Sequence, residues 1–187
     1  MEKDFTTFIH QPENKPVLDK LLAISAIYEQ EPESHRNANA MNITDQRYRR
    51  KVRNFKRSVT DIIEYLETYH EMLWRVVIAV MLNYAYDTIR EHLPELEEMY
   101  QLFALNRFVP NSPTWTGAGT PLGQLSACFV LPIIDDLGKE PNGIFHTLLE
   151  AMLIQQGGGG VGYNFSHLRE KGALIKSSNG ESSGAIA

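Results

Sequence analysis

The chain has a single cysteine, Cys128, in 187 residues, which excludes an internal disulfide framework. No apolar run approaches the roughly eighteen residues needed to cross a bilayer. The longest, Val76–Leu82, suits a buried helix segment. Histidines are few and scattered, and no two stand at metal-ligand spacing. His70–Glu71 has no second histidine three positions on, so the zinc-protease pattern fails. No metal site is expected. Basic residues are outnumbered, 18 against 23 acidic, and the net charge of −5 argues against non-specific binding of nucleic acid. The opening "MEKDFTTFIHQPENK" lacks the charged-then-apolar layout of a secretory signal. With one cysteine and no export signal, the expected compartment is the cytoplasm, with no membrane partner. What remains is globular in composition, 43% apolar and 22% charged, with length for one domain or a little more.

The chain divides by pattern into two regions, 1–105 and 106–187. Pro16–Tyr28 has apolar spacing for a short amphipathic helix, and "EPESHRNANAMN" after it is loop-like. Arg47–Arg57 carries seven basic residues in eleven; it is either a phosphate- or partner-docking strip or a solvated face balanced by Glu91–Glu98. Ser58–Asp61 offers a capping box, and helical spacing runs from there to Asn83. A second helical pattern covers Tyr84 to Leu93, and Pro94 opens a third. The first region is therefore expected to be all-helical. After Arg107, closely spaced prolines and glycines predict a held loop. Leu125–Ile134 is an apolar run of strand length, suited to a strand buried on both faces and ending near Pro132. Ile144–Gln155 is a helix with one apolar stripe. Strand, helix, glycine loop and a further strand make the start of an α/β unit.

Several motif matches fail on context. Gly157–Gly162 satisfies G-x-G-x-x-G, but a helix precedes it and no helix pattern follows. The phosphate-loop motif would need Lys and Ser or Thr where Tyr163 and Asn164 stand. Gly180–Gly184 matches the hydrolase elbow without the downstream acid and histidine. Cys128 by itself is either an inert core residue or a reactive thiol. Four glycines in a row, Gly157–Gly160, suggest backbone that approaches a ligand, with N–H groups facing an anion or a sugar. A thiol on one strand and bare backbone after the next helix could line one nucleotide-sized pocket at strand ends.

The blocks "NSPTWTGAGTPLGQLSACFVLPIIDD", "QQGGGGVGYNFSHLREKGALI" and "SSNGESSG", in that order, resemble the N-terminal half of a ribonucleotide reductase catalytic chain, and most of all the adenosylcobalamin-dependent class. The resemblance covers Arg107 to Ala187; earlier residues match in helical character alone. It implies an N-terminal helical region followed by the first strands of a ten-stranded α/β barrel, incomplete in this chain. It implies reduction of the ribose 2′-hydroxyl of a ribonucleotide by thiyl-radical chemistry, with a cysteine pair oxidised to a disulfide. Cys128 in "LSACF" matches one of that pair. Ser112, Thr114, Ala127, Gly159 and Gly160 match substrate contacts. Asp135, Asp136 and Arg169 match the binding place of a deoxynucleoside triphosphate effector at a homodimer interface.

The thiyl cysteine, the partner cysteine and the substrate phosphate loop of that family have no counterpart in these 187 residues. Trp115 and Thr116 also differ from the smaller or aliphatic residues of the family's loop. The expectation is a fragment or split subunit, inactive alone, completed by a C-terminal half that carries most of the cobalamin site. The alternatives are a non-catalytic nucleotide-binding and dimerisation module regulating a reductase partner, and the iron-dependent class of the same enzyme.

Overall fold

The computed structural model describes residues 4–31, 37–56, 62–175 and 178–186. It divides into two compact units, Met1–Leu125 and Ser126–Ala187.

The first unit is built on helices. Asp4 caps α1 (Phe5–Ile9), accepting from the Thr7 N–H at 3.3 Å. A 3₁₀ turn (Pro12–Asn14) leads into α2 (Lys15–Glu29). Next come α3 (Ala38–Ile43) and a π turn (Thr44–Tyr48), partly replacing the expected loop. The central helix is α4 (Tyr69–Met81), in which every residue from Met72 to Ala79 is buried. It packs against α2 and α5 (Leu93–Ala104), whose Leu21, Ile24, Leu96, Tyr100 and Phe103 complete the core. Trp74 stacks on Tyr100 with ring centroids 4.0 Å apart. Its indole N–H donates to the Leu21 carbonyl and to Ser25 Oγ, so its polar tip is satisfied inside the core. Pro94 stands in the first turn of α5, as its fixed φ favours.

The sequence reading of 58–83 as one helix is corrected here. Ile62–Leu66 is a strand, β2, paired antiparallel with β1 (Lys51–Lys56), Lys51 opposite Leu66 and Lys56 opposite Ile62. The helix begins at Tyr69, because Thr68 and Glu71 form a reciprocal capping box. The competing box at Ser58–Asp61 lies outside the described residues. The Tyr84–Leu93 pattern yields only a 3₁₀ turn, Tyr86–Thr88, following Asn83 and Tyr84 at positive φ. In the basic run, Arg49 pairs with Asp45 and Arg50 with Asp4; Arg57 and the side chains of Arg53 and Lys56 lie outside what the structure describes. The loop 106–125 packs with this helical unit and contains the short helix α6 (Ser112–Gly117), capped by Asn111.

Burial by itself would raise the Glu71 carboxyl, but the His10 ring 3.6 Å away and the Thr68 backbone N–H donating to it at 2.8 Å more than offset this and hold it at about 2. A carboxyl depressed on folding binds its proton more tightly in the unfolded chain. Its contribution is therefore full above pH about 4.5 and lost as pH falls toward 2. Discounted for the solvent that reaches this carboxyl, the shift is worth about 1–2 kcal/mol. Glu71→Gln is expected to flatten that acid limb of stability, measured by urea unfolding between pH 6 and roughly pH 2.

The second unit is a strand–helix–strand crossover. β3 (Cys128–Pro132) and β4 (Gly160–Asn164) pair in parallel through α7 (Ile144–Gln156). Thr147 ties the helix to the sheet, its hydroxyl donating to the carbonyls of Pro132 at 2.9 Å and Asn142 at 3.1 Å. A two-residue pair, β5 (Leu174–Ile175) with β6 (Gly180–Glu181), follows. The expectation of a strand buried on both faces fails within this unit. Leu131 is buried, whereas Cys128 and Val130 are exposed, Val130 to 78%. On α7 the buried side chains are Thr147 and Ala151. The stripe Phe145, Leu148, Leu149, Met152 and Leu153 is exposed.

Candidate active site

The β3–β4 register places Cys128 opposite Gly160, and Gly160 N–H donates to the Ala127 carbonyl at 2.7 Å. A Cβ at Gly160 would stand 3.9 Å from Cys128 Sγ, an ordinary contact, so the glycine run begins its strand directly beside the thiol. Cys128 is exposed, which removes the inert-core reading. Gly159 is buried, and Gly158 adopts φ +85 where the chain leaves α7, a conformation suited to glycine. The N–H groups of the run do not face a ligand. Those of Gly157, Gly158 and Gly159 donate to the Leu153, Gln155 and Ile154 carbonyls, and Gly160's is spent on Ala127. The expected anion cradle is therefore a helix terminus and the start of a strand.

In the same unit Asp135 and Arg169, 34 positions apart, meet: Arg169 Nε donates to Asp135 Oδ2 at 2.6 Å. Both are about one-third exposed on a groove of about 480 Å³ lined also by Asp136, Lys139, Ser182 and Ser183. Asp136 has a different task. Its Oδ1 accepts the backbone N–H groups of Gly138, Lys139 and Glu140, fixing that turn. The Glu140 N–H bond is the leading cause that lowers its carboxyl.

Ser112 and Thr114 belong to the helical unit. Ser112 Oγ lies 3.1 Å from Tyr48 Oη. Thr114 Oγ1 bonds Asn111 Oδ1 and donates to the Leu125 carbonyl at 3.1 Å. Trp115, one of the two residues that depart from the family loop, is buried and makes an edge contact with Phe103. Sequence reasoning missed the residue beneath this loop. Arg75, wholly buried on α4, pairs with buried Glu67 at 2.8 Å and donates to the carbonyls of Trp115 and Ala118. A charge inside the apolar run "MLWRVVIAVM" was the available signal.

Two family models match the chain. The all-alpha domain of ribonucleotide reductase matches residues 34–123, and the barrel domain of ribonucleotide reductase matches 126–187. The chain belongs to the ribonucleotide reductase family. The junction between the two reductase models falls where the structure divides, at Leu125/Ser126. The vitamin B12-dependent ribonucleoside-diphosphate reductase of Thermoplasma acidophilum is 51% identical over 80 residues, covering 43% of this chain and 10% of its own. Its namesake in Mycobacterium tuberculosis is 50% identical over 80 residues, 43% of this chain and 11% of its own. The Arabidopsis thaliana ribonucleoside-diphosphate reductase large subunit is 31% identical over 121 residues, 65% of this chain and 14% of its own. The chain spans about a tenth of the length of the B12-dependent relatives it matches. No helix among the described residues is long and apolar enough to cross a membrane.

Proposed function

We propose that this chain supplies the substrate-reducing thiol and the effector groove of a ribonucleotide reductase, acting with the rest of the enzyme, which holds the remaining machinery. The reading is supported most by Cys128: an exposed thiol, paired with Gly160 across the sheet, on the first strand of the segment that matches the barrel. In the reaction the ribose 2′-hydroxyl leaves as water and a hydrogen takes its place. Two thiols give up two electrons and two protons and become a disulfide. Cys128 is one of them; the other lies on the rest of the enzyme. Ala127, Gly159 and Gly160 would contact the ribonucleotide from the barrel segment; in the helical unit, Ser112 and Thr114 are by themselves proposed as substrate contacts. Adenosylcobalamin would supply radical initiation; two relatives are named as vitamin B12-dependent. The residue roles here do not depend on it. The assembled enzyme is proposed to work as a cytoplasmic homodimer, with the exposed apolar stripe of α7 as part of the contact. The test is reduction of ribonucleotides by the assembled enzyme with a dithiol donor. Turnover that requires adenosylcobalamin supports this class; turnover that instead requires a separate radical-generating subunit assigns the iron-dependent class.

Asp135, Asp136 and Arg169 are proposed to take a deoxynucleoside triphosphate. The Asp135–Arg169 pair is exposed, so its loss costs little stability. Arg169→Ala is therefore expected to leave the fold intact and to weaken triphosphate binding about tenfold or more, the worth of one charged hydrogen bond. Equilibrium binding of a labelled deoxynucleoside triphosphate measures it, and unchanged affinity assigns Arg169 a structural role.

A further inference from the structure

We propose that Arg75 is a positioning residue for nucleotide binding, holding the loop that carries Ser112 and Thr114 by gripping the far end of α6. This rests on the reading of that loop as a substrate contact. Arg75 and Glu67 are 0% and 1% exposed. Glu67 takes the side of the guanidinium, Oε1 from Nε at 2.8 Å and Oε2 from Nη2 at 3.1 Å. The rest of the fork is spent on main chain: Nη1 on the Ala118 carbonyl, Nη2 on those of Trp115 at 3.0 Å and Tyr48 at 3.3 Å. Trp115 and Ala118 are at the end of α6, where helix carbonyls lack partners of their own, and a cation there also suits the helix dipole.

The loop is seated on the same side chain sterically. Gly119 has φ +67, and a Cβ there would fall 2.6 Å from Arg75 Cγ. Its carbonyl accepts the Phe5 N–H at 3.0 Å, which fastens the loop to α1. Glu67 is held in turn, accepting the Arg50 N–H at 3.0 Å. A buried ion pair is a poor device for stability alone, because apolar residues of similar volume serve as well. A planar cation with fixed donors is a good device for setting where carbonyls lie, and lysine cannot reproduce it.

The experiment uses the assembled reductase carrying Arg75→Lys. Three quantities are read: KM and kcat for the ribonucleotide, hydrogen exchange of the amides at 114–120, and exchange in Tyr69–Met81 as the control for the core. We expect KM to rise about tenfold or more, the scale of cost for misplaced contacts, with a smaller change in kcat. Exchange should quicken at 114–120 and stay slow in α4. A folded Arg75→Lys enzyme with wild-type KM and wild-type loop exchange overturns the proposal. If Arg75→Lys does not fold, Glu67→Gln, which keeps the shape and removes the charge, is judged by the same two outcomes. Ser112→Ala and Thr114→Val test the underlying reading separately. If neither moves KM while Arg75→Lys still loosens the loop, the nucleotide assignment of the loop fails and Arg75 is a structural clamp only.

Discussion

Cys128→Ser is expected to abolish multiple turnover of the assembled reductase with a dithiol donor, while leaving its folding almost untouched. The two halves of that expectation have separate causes. Serine differs from cysteine by one atom, and Cys128 is exposed, so no buried partner is lost and the stability change should stay within about 0.5 kcal/mol. The chemistry has no such tolerance. A hydroxyl cannot give up an electron and a proton to form a disulfide, so the two-electron reduction loses one of its donors. Rates measured over many turnovers, set beside thermal unfolding of the same sample, test the assignment. Normal turnover in the serine variant refutes it; lost turnover with a collapsed melting midpoint would place Cys128 among structural residues instead.

Arg75→Met is expected to lower the stability of the helical unit by about 3–5 kcal/mol, since it strands the Glu67 carboxylate in the core. Adding Glu67→Leu removes that charge. The double variant should therefore be more stable than Arg75→Met alone, although it adds an apolar substitution. It should remain below the parent, because the Trp115, Ala118 and Tyr48 carbonyls lose a donor in both. Urea unfolding of the parent, the two single variants and the double gives the coupling between the pair. If the double variant is no more stable than Arg75→Met, the stranded charge is not what the single substitution costs.

The elements that were legible in the sequence are those whose signals are local. Apolar spacing located α2 and α7, Pro94 marked the start of α5, and Pro132 closes β3 as expected. The hairpin was not legible, because Ile62, Ile63 and Leu66 fit a helical stripe as well as a strand, and two capping boxes competed for one helix. Thr68 with a true Glu at the third position was the better signal. Burial of β3 was misjudged from its composition: an apolar run says which residues want cover, and within this unit only one side of the strand has it. For the site, the pairing of Cys128 with the glycine run followed from the crossover order. The use of the glycine N–H groups did not, since it depends on the helix end they close. Arg75 acts through carbonyls about 40 positions away, and main-chain acceptors leave no mark in side-chain identity.

The Arg75 grip has a consequence for cutting the protein into pieces. By pattern the helical region stops at 105, and a clone ended there looks tidy. Such a piece keeps the guanidinium and Glu67 but discards the two carbonyls at Trp115 and Ala118, along with the buried Trp115 ring and the anchor for Phe5. A piece ended at Leu125 keeps all of them. Twenty residues that look like linker are thus the last course of masonry in the helical unit, and the seam for dissection runs after them.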